Sequence, residues 1–203
     1  MVMFVKDGAL LSLSCVPVMS FILRETESTD LSSIAAIYAD AVLTGTASYE
    51  LVPPTAEEMA SRFAAITGQG YPHIAATDEE GTVLGYAYAS AFRTRPAYRW
   101  LVEDSIYLAR EAQGRGIGKA LLRELIGRCT ALGFRQMVAV IGGASPTSVR
   151  LHAVCGFQMT GTLIGTGFKH GRWLDTVLMQ LPLGEGNATA PDEMSYPGSL
   201  FSS

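Results

Sequence analysis

Glu103-Asp-Ser-Ile-Tyr-Leu108 and Gln113-Gly-Arg-Gly-Ile-Gly118 are the two halves of the stretch that decides the fold, and a run of apolar residues at helical spacing follows them to Leu132. This order of patterns predicts a strand, a glycine-rich turn and a helix. The glycines at every second position of the turn let the backbone come close to a ligand. The helix that begins there directs unpaired N–H groups and its positive dipole end outward. The stretch therefore predicts an anion site, most simply for a pyrophosphate.

Two well-known phosphate loops are excluded by the spacing of these glycines. A dinucleotide fingerprint needs G-x-G-x-x-G, whereas this turn reads G-x-G-x-G. A P-loop needs G-x-x-x-x-G-K-[ST], but Gly118-Lys119 is followed by Ala120, and Gln113 stands where the first glycine should be. On the glycines alone, a helix start that binds no ligand stays an open alternative.

Residues beyond the turn add a resemblance to a known family. The motif Gln113-x-x-Gly116-x-Gly118 resembles Q/R-x-x-G-x-G/A, the acetyl-CoA pyrophosphate motif of the Gcn5-related N-acetyltransferase (GNAT) superfamily. Further segments resemble the phosphinothricin and methionine sulfoximine acetyltransferases of that superfamily, namely residues 97–107, 138–142, 148–152, 156–157 and 167–175. The matching segments occur in order between about residues 20 and 183, so together they are more specific than any one motif.

Composition sets the broad class. With 203 residues, 48% of them hydrophobic and 17% charged, the chain is long enough for one sizeable core and is expected to form one domain. The net charge of −4 argues against nucleic acid as the main partner. The three cysteines form no Cys-x-x-Cys pair, which is typical of reduced thiols in a cytoplasmic protein. The pattern indicates neither a disulfide nor a metal site.

The two ends of the chain differ from its middle. No apolar run reaches the roughly 20 residues that span a membrane, so no membrane partner is expected. Residues 1–18 are expected to be an extension upstream of Met19 and outside the fold. Residues 19–183 form the predicted domain, and residues 184–203, rich in Gly, Pro, Ser and Asp, are expected to be a disordered tail.

Periodicity predicts the element order βααβββαβαββ. Strands are expected at residues 20–25, 73–77, 82–90, 101–109, 136–141, 157–165 and 173–181, and helices after residues 28, 53 and 116 and at 148–154. A strand–helix–strand crossover flanked by antiparallel strands predicts an α/β (α+β) mixed sheet with helices on both faces. The family resemblance implies the GNAT fold, whose central sheet is mostly antiparallel.

The resemblance also implies acetyl-CoA as co-substrate, and no metal is expected. Backbone amides of the predicted fourth strand, at Ile106, Tyr107 and Leu108, would hold the acetyl carbonyl. The turn would hold the pyrophosphate through Gln113, Gly114, Arg115, Gly116, Ile117, Gly118 and Lys119. Relatives usually place an asparagine on CoA where this chain has Ser145, so a hydroxyl would have to make that contact. No tyrosine stands near Gly156-Phe157 to protonate the leaving thiolate, and no acid is assigned.

Glu103 aligns with the general base of the phosphinothricin acetyltransferases. Because side chains alternate along a strand, Glu103 and Ser105 should share one face and Asp104 should lie on the other. The ordinary pKa of a glutamate is low for this task, so partial desolvation is expected to raise it, or a water molecule relays the proton. The alternative is a solvent-exposed acid at a strand end.

Other site residues follow from the same resemblance. His152 matches a histidine that orients substrate or catalytic groups, although a lone histidine on a short helix is more often structural. Arg93 and Arg95 precede the base and suit a carboxylate or phosphinate, with a solvated charge cluster as the alternative. Ser105 is expected beside the substrate. Lys169, Arg172 and Trp173 are expected to have a structural or subunit-contact role.

These patterns predict an enzyme that acetylates the α-amine of a small amino-acid-like substrate by direct attack within a ternary complex. Methionine sulfoximine, methionine sulfone and phosphinothricin are the leading candidates. Another amine, such as a different amino acid, a polyamine or a protein N-terminus, is an alternative, and so is an acetyl-CoA-binding regulator without turnover. A homodimer is expected from the family alone.

Overall fold

The computed structural model describes residues 20–195, so the expected extension at residues 1–18 lies outside the described residues. Its strands are β1 (Ile22–Glu25), β2 (His73–Thr77), β3 (Val83–Ala91), β4 (Leu101–Leu108), β5 (Gln136–Gly142), β6 (Gln158–Lys169) and β7 (Arg172–Pro182). Its α-helices are α1 (Leu31–Thr44), α2 (Ala56–Gly68), α3 (Ile117–Ala131) and α4 (Pro146–Val154). The predicted element order is confirmed.

The strands form one sheet in the order β1-β2-β3-β4-β5-β7-β6. Every neighbouring pair is antiparallel except β4 and β5, which run parallel. Their paired residues are Leu101–Glu103 with Gln136–Val138. Beyond Glu103 the register with β5 stops while β4 continues to Leu108, so the two strands splay apart. The sheet is therefore mixed and mostly antiparallel, as predicted.

Helices cover both faces of the sheet, because alternate side chains of its central strands are buried in two different cores. Ala87, Ala89 and Val102 pack with the apolar face of α3. Tyr86 packs with α1, while Tyr88 and Tyr107 lie against the same cluster. Among residues 20–195, none of the helices is both long and apolar enough to cross a bilayer.

The last hairpin is longer than predicted. The expected end of its first strand near residue 165 is wrong, since β6 continues to Lys169 and β7 begins at Arg172. The register shifts between Leu163 and Gly167, so a bulge interrupts the pairing without ending it. Glycines that punctuate the sequence here mark that irregularity and not a turn.

The first part of the expected disordered tail makes contacts that its composition did not predict. The Arg135 guanidinium donates from Nε to the Gly186 carbonyl at 2.8 Å and from Nη2 to the Thr189 carbonyl at 3.1 Å. Leu183, just before this segment, is buried. The Thr189 hydroxyl and the Glu185 carboxylate also lie beside this guanidinium, and their partner is 50 or more positions away in the chain, so residue composition carries no signal for these contacts. Residues 196–203 lie outside the described part.

Candidate active site

The turn between β4 and α3 has the geometry of an anion site. Gly114 and Gly116 have φ of 74° and 83°, in the left-handed region that favours glycine. Gly116 is the N-cap of α3 and has no side chain to bond the first amides, so these N–H groups stay available. Arg115 Nη2 is buried and has no hydrogen-bond partner among residues 20–195. An open helix N-terminus beside an unpartnered guanidinium fits a phosphate group.

Gly118 has a different role from the two preceding glycines. A Cβ at this position would lie 3.3 Å from Leu108 Cδ1 and 3.5 Å from Leu151 Cδ2. The absence of a side chain therefore lets the first turn of α3 pack closely against β4 and α4. Lys119, the predicted second cation, is exposed on the next position of the helix.

The splay beside the turn leaves one edge of β4 without a strand partner. Its paired partner on the other side is β3, through Ile106 with Ala87, Tyr107 with Tyr86, and Leu108 with Gly85. Backbone groups on the β5 side of these residues can therefore bond a ligand placed between the strands. No three His, Cys, Asp or Glu side chains gather in residues 20–195 as a metal site would require.

Ser145 is the N-cap of α4. Its Oγ accepts a hydrogen bond from the Ser148 amide at 3.4 Å. The hydroxyl proton remains free to be donated, so the predicted contact to CoA stays a prediction. β5 ends just before Gly143 and Ala144, whose φ values of 64° and 47° are positive. These two residues set the direction of the loop that leads to Ser145.

Glu103 lies on the β4 face that α1 covers, together with Ser105, as the alternation predicted. In the register with β3, Glu103 is opposite Ser90, and Ser105 is opposite Tyr88. Burial, with the negative charge of neighbouring Asp104, raises the pKa of Glu103 to about 7 although Arg93 lowers it. The predicted desolvation of the carboxyl is therefore present.

A cavity of about 280 Å³ adjoins this face between α1, α2 and the sheet. Tyr88 and Ser90, the neighbours of Ser105 and Glu103 on β3, belong to its wall, so the cavity lies next to Glu103. The remaining lining residues are Leu31, Ile34, Tyr38, Met59, Arg62, Phe63, Ala65, Ile66, His73 and Tyr86. The Tyr86 hydroxyl is buried without a hydrogen-bond partner in the described chain. Burial raises the pKa of Tyr86 well above its ordinary value, so this hydroxyl stays protonated at neutral pH.

The two predicted substrate arginines are both exposed but differ in their surroundings. The Arg93 guanidinium lies 4.2 Å from the centre of the Phe92 ring and is close enough to Glu103 to lower its pKa. Arg95 lies at the start of a short 3-10 helix, where its carbonyl accepts a bond from the Tyr98 amide at 2.9 Å. Of the two arginines, only Arg93 contributes a charge interaction to the pKa shift of Glu103.

His152 is not brought into the cleft with Glu103. It is buried on α4, where Nε2 lies 3.0 Å from Asp104 Oδ2 and Nδ1 lies 2.7 Å from the Ser148 carbonyl oxygen. Asp104 points to the sheet face opposite Glu103, so His152 lies behind β4, and its predicted role in orienting substrate or catalytic groups stays a prediction. Alternation along β4 predicted the direction of Asp104, but no local signal identified the helix that covers it.

The loop between α1 and α2 is a further part of the site that the sequence reasoning missed. The Tyr49 hydroxyl lies 2.7 Å from Thr176 Oγ1 and accepts a bond from the Gly143 amide at 3.2 Å. Buried Lys169 donates from Nζ to the Ser48 carbonyl at 2.6 Å. These contacts fix the loop against the β5–α4 connection and the β6–β7 hairpin. They also show the structural role that was expected for Lys169.

Comparisons with known proteins give this geometry a context. A family model described as "Acetyltransferase (GNAT) domain" matches residues 23–178. The chain is 49% identical over 170 residues to the phosphinothricin N-acetyltransferase of Alcaligenes faecalis, covering 83% of this chain and 86% of that protein. It is 40% identical over 165 residues to the L-methionine sulfoximine/L-methionine sulfone acetyltransferase of Pseudomonas paraeruginosa, covering 81% and 96%. A GNAT superfamily phosphinothricin acetyltransferase from Sinorhizobium meliloti, solved in complex with AcCoA, has a TM-score of 0.89 and 63% identity, covering 91% of this chain and 100% of that one.

Proposed function

Because the chain belongs to the GNAT acetyltransferase family, we propose that it acetylates the α-amine of phosphinothricin, methionine sulfoximine, methionine sulfone or a closely similar amino acid. The observation that carries this proposal is a desolvated glutamate, Glu103, at the point where β4 leaves β5 and beside a cavity. The names of the relatives supply the substrate class. The open turn before α3 supports acetyl-CoA as the acetyl donor.

The chain would hold the donor by its backbone. The amides that open α3, with Arg115 and Lys119 as nearby cations, would bind the pyrophosphate, and the free edge of β4 would bind the pantetheine arm and the acetyl oxygen. Acetyl-CoA supplies the thioester carbon that the amine attacks. Fixed backbone donors stabilise charge on the carbonyl oxygen without reorganising during the reaction.

Glu103 would remove the proton that prevents attack. An α-amine is mostly ammonium at neutral pH, and only the free amine is a nucleophile. With a pKa of about 7, the Glu103 carboxylate is a stronger base than an ordinary glutamate and is still substantially ionised at pH 7 to 8. The ammonium proton passes to Glu103, directly or through one water molecule, and then to solvent. The free amine bonds to the acetyl carbon, the C–S bond breaks, and the second proton lost by the nitrogen protonates the leaving CoA thiolate by way of water.

Arg93 is the cation best placed to select an anionic substrate. It is exposed and near Glu103, and a guanidinium can bond both oxygens of a carboxylate or phosphinate. Arg95 would add charge at the same opening. Two arginines there favour a zwitterionic amino acid over a polyamine, which carries only positive charge.

We infer that the enzyme acts as a homodimer through the β6–β7 hairpin. β6 is the last strand of the sheet and is mostly exposed on both faces. Leu163, Ile164, Phe168 and Trp173 place large apolar side chains in water there. An exposed apolar surface of this kind indicates an interaction site, and the family resemblance implies that the partner is a second copy of this chain.

The activity is tested by release of CoA thiol from acetyl-CoA. Purified protein is supplied in parallel with methionine sulfoximine, methionine sulfone, phosphinothricin and spermidine, beside a Glu103→Gln variant. We expect turnover with the first three substrates, little with spermidine, and a loss of kcat/KM of about 10²- to 10⁴-fold in the variant. Acetyl-CoA binding, measured by calorimetry, should be unchanged.

Two results would count against the proposal in different ways. If acetyl-CoA binds but none of the three amino acids is consumed, the substrate class is wrong and another amine or a regulatory role is favoured. If the three are consumed equally well by the Glu103→Gln variant, the substrate class holds and the assignment of the base fails.

A further inference from the structure

Behind the proposed base lies a second pair of ionisable groups that the catalytic scheme does not use. Asp104 and His152 pair across the interface between β4 and α4, with side chains only 2% and 5% exposed. They lie 48 positions apart in the chain. Asp104 Oδ1 has no hydrogen-bond partner among the described residues, so this carboxylate depends on His152 alone. A buried ionisable pair with an unpartnered oxygen is costly, which calls for an explanation.

The hydrogen bonds determine how many protons the pair holds. The Ser148 carbonyl can only accept, so His152 Nδ1 carries a proton and donates it at 2.7 Å. One further proton lies between Nε2 and Asp104 Oδ2, which are 3.0 Å apart. Burial alone would lower the pKa of His152, but the hydrogen bond and charge of Asp104 outweigh it and the pKa is raised. The hydrogen bond and the charge of Asp104 therefore favour the imidazolium form of His152.

The position of the pair links it to the base. Asp104 is the next residue after Glu103 on β4, with its side chain on the opposite face of the strand. Its negative charge acts on Glu103 through the thickness of one strand, in a medium that water does not screen. His152, its counter-ion, is carried by α4, so the charge felt at Glu103 depends on a helix on the other side of the sheet.

Other groups around the two carboxylates are few. On its own face, Glu103 is faced by Arg93 from the loop after β3 and by Tyr88 from β3. Asp104 lies near the thiols of Cys129 on α3 and Cys155 after α4, whose pKa values it raises. Burial also keeps both thiols neutral at physiological pH. Arg93 is thus the opposing charge that must be held constant when the pair is altered.

We propose that Asp104 and His152 are positioning residues that act through Glu103, their opposite charges controlling from the far face of β4 when the Glu103 carboxylate can accept a proton. Asp104 favours the protonated form of Glu103, and the His152 imidazolium limits that effect. The pair also bonds α4, with the Ser145 loop at its start, to the strand that carries the base. The catalytic consequence rests on the proposed function, but the electrostatic coupling does not.

The test measures Glu103 itself. The carboxyl carbons of glutamate are labelled with ¹³C, and the Glu103 signal, identified by its loss in Glu103→Gln, is followed against pH in wild type, Asp104→Asn and His152→Gln. Both substitutions keep a hydrogen bond available, because an asparagine amide can donate to neutral Nε2 and a glutamine amide can donate to the Asp104 carboxylate. Asp78→Asn, which alters a carboxylate in the β2–β3 turn, is the matched control.

Opposite behaviour of the two variants is the expected result. Asp104→Asn should lower the pKa of Glu103 by about half to one unit, because a negative charge has been removed. His152→Gln should leave the pKa of Glu103 unchanged or raise it, because the negative charge of Asp104 then acts without its counter-ion. The acidic limb of the kcat/KM profile should move to lower pH in Asp104→Asn by the same amount, and Asp78→Asn should match wild type in both measurements.

An unchanged Glu103 pKa in folded Asp104→Asn overturns the proposal, and so does an equal lowering in both variants, which would indicate a local rearrangement. If a variant does not fold, the ¹⁵N signals of His152 in the wild-type protein decide. They should show a step at the pH where Glu103 titrates, and independent titration would sink the coupling. A shifted NMR titration with an unmoved rate profile would leave the coupling standing and reject Glu103 as the base.

Discussion

Glu103 meets two opposing demands at a single residue. Burial raises its pKa from the ordinary value of 4.5 to about 7, which strengthens it as a base. The same burial makes its ionised form unfavourable in the folded protein. Between pH 4.5 and pH 7 the folded state binds more protons at this residue than the unfolded chain, so stability falls as the pH rises through that window. The buried carboxylate therefore weakens the fold at the pH values at which the proposed base would be ionised.

This opposition predicts that Glu103→Gln stabilises the protein at pH 8. A neutral amide of the same size avoids the cost of burying a charge, so the melting temperature should rise relative to wild type. The difference should shrink as the pH is lowered towards 4.5, where the wild-type carboxyl is protonated too. Differential scanning calorimetry across this range, with exposed Glu80→Gln as control, measures it. A stability difference between variant and wild type that is no larger at pH 8 than at pH 4.5 would contradict the assigned burial.

At the scale of elements, the loop between α1 and α2 is held by close backbone packing. A Cβ at Gly142, at the end of β5, would lie 2.5 Å from the Thr46 carbonyl oxygen and 3.0 Å from Tyr49 Cε1. The loop closes over the point where β5 leads to the α4 N-cap. Its position is therefore tied to the connection between β5 and α4.

Gly142→Ala is expected to destabilise the protein by about 1–3 kcal/mol, because the clash involves backbone that cannot move away without shifting the loop. Gly161→Ala is the matched control, since nothing lies within 4 Å of a Cβ at that position of β6. Urea unfolding of the two variants measures the difference. Equal free energies of unfolding would mean that the loop is free to move from β5.

Elements and their order were predictable because each depends on neighbours in the chain. The period of apolar residues fixed α3 and the alternation fixed the face of Glu103, both before any tertiary contact was known. The extent of β6 was not predictable, because the bulge between Leu163 and Gly167 is stabilised by pairing with β7. A local pattern contains the glycines but carries no information about the partner strand, β7, that keeps β6 paired on both sides of the bulge.

In the candidate site, too, the features that depend on a short stretch of sequence were predictable, and those that depend on distant contacts were not. The geometry of the turn at residues 113–119 and the face of β4 that carries Glu103 were predictable, since each depends on a short stretch of sequence. The surroundings of His152 were not, because its partner Asp104 lies 48 positions away and on the other side of the sheet from the cleft. Family resemblance placed the histidine near the reaction, while the fold places it behind the strand. Tyr49 was missed for the same reason, since its contacts join segments more than 90 positions apart.

In the whole molecule, the two edge strands of the sheet differ in length and in exposure. β1, at one edge, has four residues, whereas β6, at the other, has twelve and is mostly exposed. Ile164 is 76% exposed, and Trp173 is 69% exposed against Phe168. A long apolar edge strand invites association, and natural proteins usually cover it. A symmetric dimer through this hairpin would cover both copies at once.

Ile164→Lys is therefore expected to convert a dimer into a monomer. Burying an unpaired ammonium at the centre of an apolar interface costs several kcal/mol, enough to raise a micromolar or tighter dissociation constant by about 10²-fold or more. Light scattering after size exclusion measures the mass, which should fall from about twice 21.7 kDa to a single chain. Leu43→Lys, on an exposed apolar residue of α1, is the control and should leave the dimer intact. If the wild-type protein runs as a monomer, or if Ile164→Lys keeps the mass of a dimer, the hairpin is not the interface, and its apolar side chains need a different partner.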